Sequence, residues 1–303
     1  MKAVVVGAVG STRTAIRALT KSPLWTVSAV VTLPATLAAR HSDFVDLSAD
    51  AKEAGAQLLA ASNSNAPNVI AALSALQADY AFVIGWSQIC TPEFRSIFSG
   101  NVVGYHPAAL PRLRGRAVIP WTILLDEKIT GSTLFMIDDG VDSGPIIAQK
   151  FFHVAPAETA TTLYGRHMEA LGEILDNSLA PLAEGRAMVL PQDDLYATHA
   201  ARRTEADGLI DWRLPASAVE RLIRAVTRPY PGAFTYVGPE KLTIWAAEIW
   251  ADSRRYASRA GQVIERHGDA LAIACGDGAI LATDWDCAKR DIRNHVVLDG
   301  GSL

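Results

Sequence analysis

The segment Val103-Gly-Tyr-His-Pro-Ala-Ala-Leu-Pro-Arg-Leu-Arg-Gly-Arg116 gathers groups that can do chemistry. His106 follows a short β-branched run, and open α/β sheets place their ligands at the C-terminal ends of parallel strands. An imidazole titrates near neutral pH, so it can take or give a proton. Arg112, Arg114 and Arg116 follow within five residues and offer planar forks suited to phosphate or carboxylate. Asp142 lies 36 residues after His106, in the run Asp138-Asp-Gly-Val-Asp-Ser-Gly144. Such a carboxylate-and-glycine run can be a solvated hairpin turn. It can also bring a carboxylate beside an imidazole, which favours the charged ring and holds one tautomer.

Other signals are weaker. Gly7-Ala-Val-Gly10-Ser11 follows the first apolar run and opens a helical pattern. It is a tight turn or a place where backbone N–H groups meet a phosphate, but it is not GxGxxG. The seven histidines form no HxxxH or HxH pair, so no protein metal site is expected. There is no GxSxG elbow and no GxxxxGK loop. The cysteines, Cys90, Cys275 and Cys287, are odd in number and form no CxxC pair. That argues against a disulfide framework and for a reducing cytoplasm. The tryptophans read as packing residues.

The elements that must carry these groups follow from periodicity. Lys2–Val6, Val27–Val31, Tyr80–Ile84 and Asn101–Tyr105 read as buried strands. Ser11–Thr20, Asp43–Ala54 and Ala66–Gln77 read as the helices between them, which implies βαβ crossovers and a parallel sheet. Pro107, Pro111 and Gly115 hold a loop open. Ala117–Asp126 is helical, Thr133–Ile137 and Ile146–Phe152 are strands joined by the Asp-rich turn, and Thr159–Leu182 is a long amphipathic helix. Periodicity weakens over Arg186–Arg203, where a domain boundary is expected. Beyond it come one helix, Ala216–Thr227, and five short strands: Ala233–Val237, Leu242–Trp250, Gly261–Ile264, Leu271–Cys275 and Ala279–Thr283. These suggest a small barrel or sandwich. The C-terminal stretch Asp299–Leu303 is expected to fray.

Composition narrows the function classes. The chain has 303 residues, half apolar and a fifth charged, with a formal charge of -4. That suffices for a sizeable core and is not the composition of a disordered chain. It gives no electrostatic footprint for nucleic acid or an anionic membrane. No apolar run is long enough to span a bilayer, and the start reads as a first strand rather than a signal peptide.

Together the two chemical segments resemble the folate-dependent formyltransferases. That family's signature is a His-containing strand end, a Leu-Pro-x-x-Arg-Gly loop, and an Asp-x-Gly-x-Asp-x-Gly turn. Here these are His106, Leu110-Pro-Arg-Leu-Arg-Gly115 and Asp138–Gly144. Arg202-Arg-Thr, Ile210-Asp-Trp212 and Arg228-Pro-Tyr-Pro-Gly-Ala-Phe234 resemble the C-terminal domain of the family's tRNA and nucleotide-sugar enzymes. Arg114-Gly-Arg-Ala-Val-Ile-Pro-Trp121 is most similar to the formyltransferase half of the enzyme acting on UDP-4-amino-4-deoxy-L-arabinose. The resemblance is weakest before residue 80.

It implies an α/β fold, with a Rossmann-like, mostly parallel catalytic domain over 1–190 and a small β-rich, OB-like domain over 204–303. It implies transfer of formyl from 10-formyltetrahydrofolate, as co-substrate and without a metal, to the primary amine of a small acceptor. A nucleotide-linked amino sugar is the leading acceptor class. By position, His106 is the general base and acid, with Asp142 tuning it. Folate contacts fall on Gln88, Ile89, Cys90, Arg116, Asp138, Asp139, Gly140 and Val141, many of them through the backbone. A homodimer through the C-terminal domain is open; a membrane partner is not expected.

One position departs from the family. Its Asn two residues before the His stabilises the oxyanion, and here that position is Gly104. Loss of one such donor costs on the order of 10²–10³ in rate. Ser87 or Gln88 from the neighbouring strand end, backbone N–H groups or an ordered water are the candidate substitute donors. Three further readings stay open: methionyl-tRNA formylation, which the acidic balance argues against, a folate- or nucleotide-binding protein with little catalysis, and a formyl-folate hydrolase.

Overall fold

The computed structural model describes residues 1–299. Contacts divide the chain into two compact units. The first comprises 1–118, 129–153 and 164–201; the second comprises 119–128, 154–163 and the remainder of the chain.

The first unit is built on a seven-stranded sheet. Its strands are β1 (Lys2–Val6), β2 (Thr26–Thr32), β3 (Gln57–Ala60), β4 (Tyr80–Val83), β5 (Val102–His106), β7 (Ile129–Met136) and β8 (Ile146–His153). They are ordered β3-β2-β1-β4-β5-β7-β8. The pairs from β3 to β5 are parallel, and β7 and β8 are antiparallel additions. A two-residue parallel ladder joins β6 (Arg114–Gly115) to β9 (His199–Ala200). The proline loop therefore closes on a second strand instead of standing open.

Both faces of the large sheet are buried, as a parallel sheet requires. Successive residues of β1 serve opposite faces. Ala3 and Val5 pack with Ile16 and Leu19 of α1 (Gly10–Lys21) and with Leu171 and Leu175 of α6 (Ala160–Ala183). Val4 and Val6 pack with Leu73 of α3 (Pro67–Leu76) and Phe94 of α4 (Pro92–Ile97). Trp25 ties α6 to the sheet: its Nε1 donates to the Leu179 carbonyl at 2.8 Å, and its ring meets Phe82 edge-on.

Several local expectations change: α4 is not among the expected helices, and the strand expected at 261–264 is Val263–His267. Only Ser48–Glu53 of the stretch 43–54 is helical, as α2. Phe44 bridges to Val9 and Val45 N donates to the Ala8 carbonyl, which draws 44–45 out of the helix. Strand β3 escapes the pattern because it is a short, largely exposed edge without clean alternation. Asp299 is not frayed, since its backbone pairs with Tyr236; the rest of the expected frayed tail, 300–303, lies outside the described residues.

The second unit holds a five-stranded antiparallel sheet in the order β10-β11-β14-β13-β12. These strands are β10 (Ala233–Val237), β11 (Glu240–Ile249), β12 (Val263–His267), β13 (Ala270–Ala274) and β14 (Ala279–Cys287). The unit also contains α7 (Ala216–Val226), nearly all of α5 (Val118–Leu124) and two 3-10 turns, Glu205–Gly208 and Ala251–Arg255. Val219, Ile223 and Val226 recur at helical spacing and are the buried face of α7.

A buried polar relay sits under α6 in the first unit. Tyr105 OH lies 3.0 Å from Ser132 Oγ, which lies 2.9 Å from His167 Nδ1. His167 is fully buried and its Nε2 has no hydrogen-bond partner. Burial, then the charges of His106 and Arg166, push its pKa down to about 3. The folded chain therefore keeps this ring neutral where the unfolded chain protonates it near 6.5. Stability should be unaffected by this group above pH 7 and should fall as pH drops from about 6.5 towards 3, by roughly 1 kcal/mol per pH unit. Urea unfolding at pH 7.5, 6.0 and 5.0 checks this. His167→Gln should have the shallower pH dependence, and equal slopes for both proteins would refute the assignment.

Candidate functional site

His106 is the last residue of β5, on the C-terminal edge of the parallel strands. It is buried, and both ring nitrogens face protein groups. Nε2 lies 2.7 Å from the Leu113 carbonyl oxygen. A carbonyl only accepts, so Nε2 carries a proton and donates it. Nδ1 lies 3.5 Å from Asp142 Oδ2. That oxygen also accepts the Gly115 N–H at 2.8 Å. The Asp142 side chain is 21% exposed against 6% for His106, so the pair meets solvent through its carboxylate.

Each partner stands on unusual backbone. Leu113 and Asp142 are both left-handed, with φ of 56° and 51°. Gly115 has φ of 109°, and a Cβ there would lie 2.5 Å from the Ala200 carbonyl oxygen, so only glycine fits. The loop before them is pinned by Thr133, whose Oγ1 donates to the Ala108 carbonyl at 2.7 Å and accepts from Leu110 N and Gln149 Nε2.

The Asp-rich turn holds its own shape. Asp138 Oδ1 accepts from Gly140 N at 3.0 Å and from Ser143 Oγ at 2.8 Å. Asp139 points outward and pairs with Arg95 of α4. Val141 is exposed. The turn from Asp138 to Asp142 is thus one structured unit at the sheet edge.

Gln88, Ile89 and Cys90 follow β4 and part company. Gln88 Nε2 donates to the Ser62 carbonyl at 2.7 Å, and its Oε1 accepts from Ser64 N at 3.2 Å. Ile89 is 67% exposed. Cys90 turns into the core beside Phe94, and burial pushes its thiol up to about 12, which makes it inert. Gln88, Ile89 and Thr91 line a cleft of about 500 Å³ with Ser62, Asn63 and Asn65. Neither His106 nor Asp142 lines it.

The side-chain candidates for the substitute donor are engaged elsewhere. The Gln88 amide is bonded at both ends, and Ser87 Oγ sits 3.4 Å from His41 Nε2. The three arginines also do not act alike. Arg112 and Arg116 are exposed, but Arg114 is buried. Arg114 Nε and Nη2 donate to Gln192 Oε1 at 3.1 and 2.8 Å, and Nη2 also donates to Asp194 Oδ1 at 2.8 Å. Two of its donors are thus taken by protein groups, one of them a carboxylate of this same chain. Gln192 lies in a stretch without periodicity, and no residue-type signal marked it.

The Gly7–Ser11 turn is a tight turn. Gly7 N donates to Val31 O, Ala8 N to Gly85 O, and Val9 N to Thr12 Oγ1. A Cβ on Gly7 would lie 2.0 Å from the Ile84 carbonyl oxygen.

The formyl transferase family profile matches residues 1–179, and that of the formyl transferase C-terminal domain matches 202–296. The chain belongs to the formyl transferase family. Among solved structures, HypX from Aquifex aeolicus in complex with tetrahydrofolic acid is 16% identical at a TM-score of 0.67. The match covers 95% of this chain but only 44% of HypX, so the chain spans less than half of that protein. The N-formyltransferase from Helicobacter canadensis in complex with folinic acid and dTDP-3-aminofucose is 17% identical, with a TM-score of 0.66. There the match covers 93% of this chain and 98% of the other. WlaRD, a sugar 3N-formyl transferase solved with dTDP and 5-N-formyl-THF, is also 17% identical at 0.66, over 93% and 96% of the two chains. At these identities the likeness speaks for the fold.

The space in front of Gly104 is filled from β7 and its end. A Cβ on Gly104 would lie 2.8 Å from Phe135 Cζ and 2.9 Å from Ile137 Cγ1. Gly104→Asn should therefore overpack the sheet and cost about 1–3 kcal/mol. Urea unfolding measures it, and a variant as stable as the parent would show that the space is open.

Proposed function

We propose that this formyl transferase moves the formyl group of 10-formyltetrahydrofolate to the primary amine of a small acceptor, and that the acceptor is an amino sugar carried on a nucleotide. The contact between His106 and Asp142, made at the C-terminal edge of the parallel strands, carries this reading. The folate and dTDP-sugar ligands of the similar structures support the co-substrate and the acceptor class. We assign the formyl transfer to residues 1–190 and an accessory β-rich, OB-like role to 204–303.

In the reaction the amine nitrogen bonds to the formyl carbon, and the bond from that carbon to N10 of the folate breaks. One amine proton must leave, and N10 must gain one. His106 and Asp142 act on these protons as a unit. With Nε2 held by Leu113, the exchangeable positions are Nδ1 and the carboxylate, and the carboxylate is the member that faces solvent. Asp138 to Val141, with Gln88, Ile89, Cys90 and Arg116, would hold the folate, largely through the backbone.

The C-terminal sequence argues against tRNA as acceptor. Arg213 pairs with Asp211, Arg228 with Asp284, Arg290 with Asp286 and Arg293 with Asp291. Cations matched to neighbouring acids give little of the field that phosphate binding needs.

Purified protein incubated with 10-formyltetrahydrofolate and a panel of nucleotide-linked amino sugars, hydroxyornithine and charged initiator tRNA should release tetrahydrofolate only with an amino sugar. His106→Ala and Asp142→Asn should each lower that release on the order of 10²–10⁴-fold. Release with tRNA alone would change the acceptor. Release without any amine would make the protein a hydrolase. Full activity in both variants would remove the pair from the mechanism.

A further inference from the structure

The weakly periodic stretch after α6 is tied to the site by its backbone and by one side chain. Leu190 exchanges both backbone hydrogen bonds with Ile146, just beyond the Asp-rich turn. Arg114 N donates to the Thr198 carbonyl, and Leu113 N donates to Thr198 Oγ1. Between these anchors sits Gln192. Its Nε2 donates to the Asp142 carbonyl and to the Gly144 carbonyl, each at 2.8 Å. Its Oε1 accepts twice from Arg114, at 3.1 and 2.8 Å. A carboxamide has two donors and two acceptor positions, so one side chain is saturated by the two loops that meet at His106.

We infer that Gln192 is a positioning residue: with Arg114 it clamps the backbone that presents Asp142 and so holds the carboxylate against His106. The argument rests on strain and reach. Asp142 is a non-glycine residue with φ of 51°, a conformation that costs about 1 kcal/mol or more and persists only where surroundings hold it. The two carbonyls bound by Gln192 flank Ser143 and so fix the backbone on both sides of the turn's last step. Arg114 is 5% exposed and keeps its fork in place through Gln192 and Asp194, which in turn sets the neighbouring Gly115 N–H on Asp142 Oδ2. The clamp therefore acts on Asp142 twice, through its backbone and through its carboxylate. Gln192 itself touches neither ring nor carboxylate, so its effect must pass through Asp142.

This inference rests on the proposed role of the His106–Asp142 pair, and its test separates the two. Gln192→Met keeps the shape and removes all four hydrogen bonds. Gln192→Glu keeps acceptors for Arg114 and loses both donors to the turn. Two readouts are taken on the full chain: kcat and KM for 10-formyltetrahydrofolate with the preferred amine, and the ring 15N shifts of His106 at one pH, with Asp142→Asn as reference. Both variants should lose about 10- to 100-fold in kcat, as expected for a small misplacement of a reacting group. KM should stay within about threefold, since Asp138 holds its part of the turn through Gly140 N and Ser143 Oγ without Gln192, and the His106 ring shifts should move towards those of Asp142→Asn. Unchanged ring shifts with kcat within about twofold of the parent would overturn the clamp. If the parent formylates no amine, the ring shifts still decide: movement keeps the clamp and removes the proposed activity, while no movement removes the clamp as well.

Discussion

The site depends on one constraint: a carboxylate from the end of β7 must reach an imidazole at the end of β5, across a loop that supplies the other half of the contact. Neither strand can do this alone. His106 is set by the sheet, because β5 is hydrogen-bonded to β4 on one side and β7 on the other. Asp142 lies beyond β7, where no ladder holds it. Its left-handed backbone turns the side chain back over the sheet edge, and Gly115 N–H and Gln192 keep it there. The Leu113 carbonyl, itself on left-handed backbone, fixes the other face of the ring. The imidazole is held by two irregular loops, and those loops are held by the stretch after α6.

Charge in this region is distributed by burial more than by composition. Three arginines stand close in sequence, but the one that is buried is closed by Gln192 and Asp194, as a buried cation must be. Arg95 takes up the outermost acid of the Asp-rich turn, leaving Asp142 as the acid turned towards the ring. Aromatic and aliphatic bulk is distributed with equal consequence. Phe135 and Ile137 occupy the space in front of Gly104, so hydrocarbon fills the place where the sequence resemblance led to the expectation of an amide.

Much of the fold was legible because its signals are local and repeated. Apolar runs such as Lys2–Val6 and Tyr80–Val83 are buried on both faces, and a continuous apolar run needs no partner to be read. The 24-residue helix α6 announces itself by its apolar stripe. What escaped was set by pairing. The segment 44–45 has helical composition but bonds to the turn after β1, and that bond exists only once the turn is formed. Strand β3 is visible only because β2 offers it an edge. The residues of the proline loop carry no strand signal, yet Arg114–Gly115 finds a strand more than eighty positions on.

The site divides in the same way. Residue types and spacing determined that a histidine ends a parallel strand, that an acidic, glycine-punctuated turn follows, and that together they resemble a formyl transferase. Those are properties of short windows, where chemistry and backbone preference are both encoded locally. Which of the acids meets the ring, which arginine is closed, why Cys90 is inert and how Gln192 joins two loops were decided by tertiary structure. Each depends on burial or on a hydrogen bond between positions far apart in the chain, and neither has a local signature: a buried arginine and an exposed one are the same residue until the chain folds around one of them.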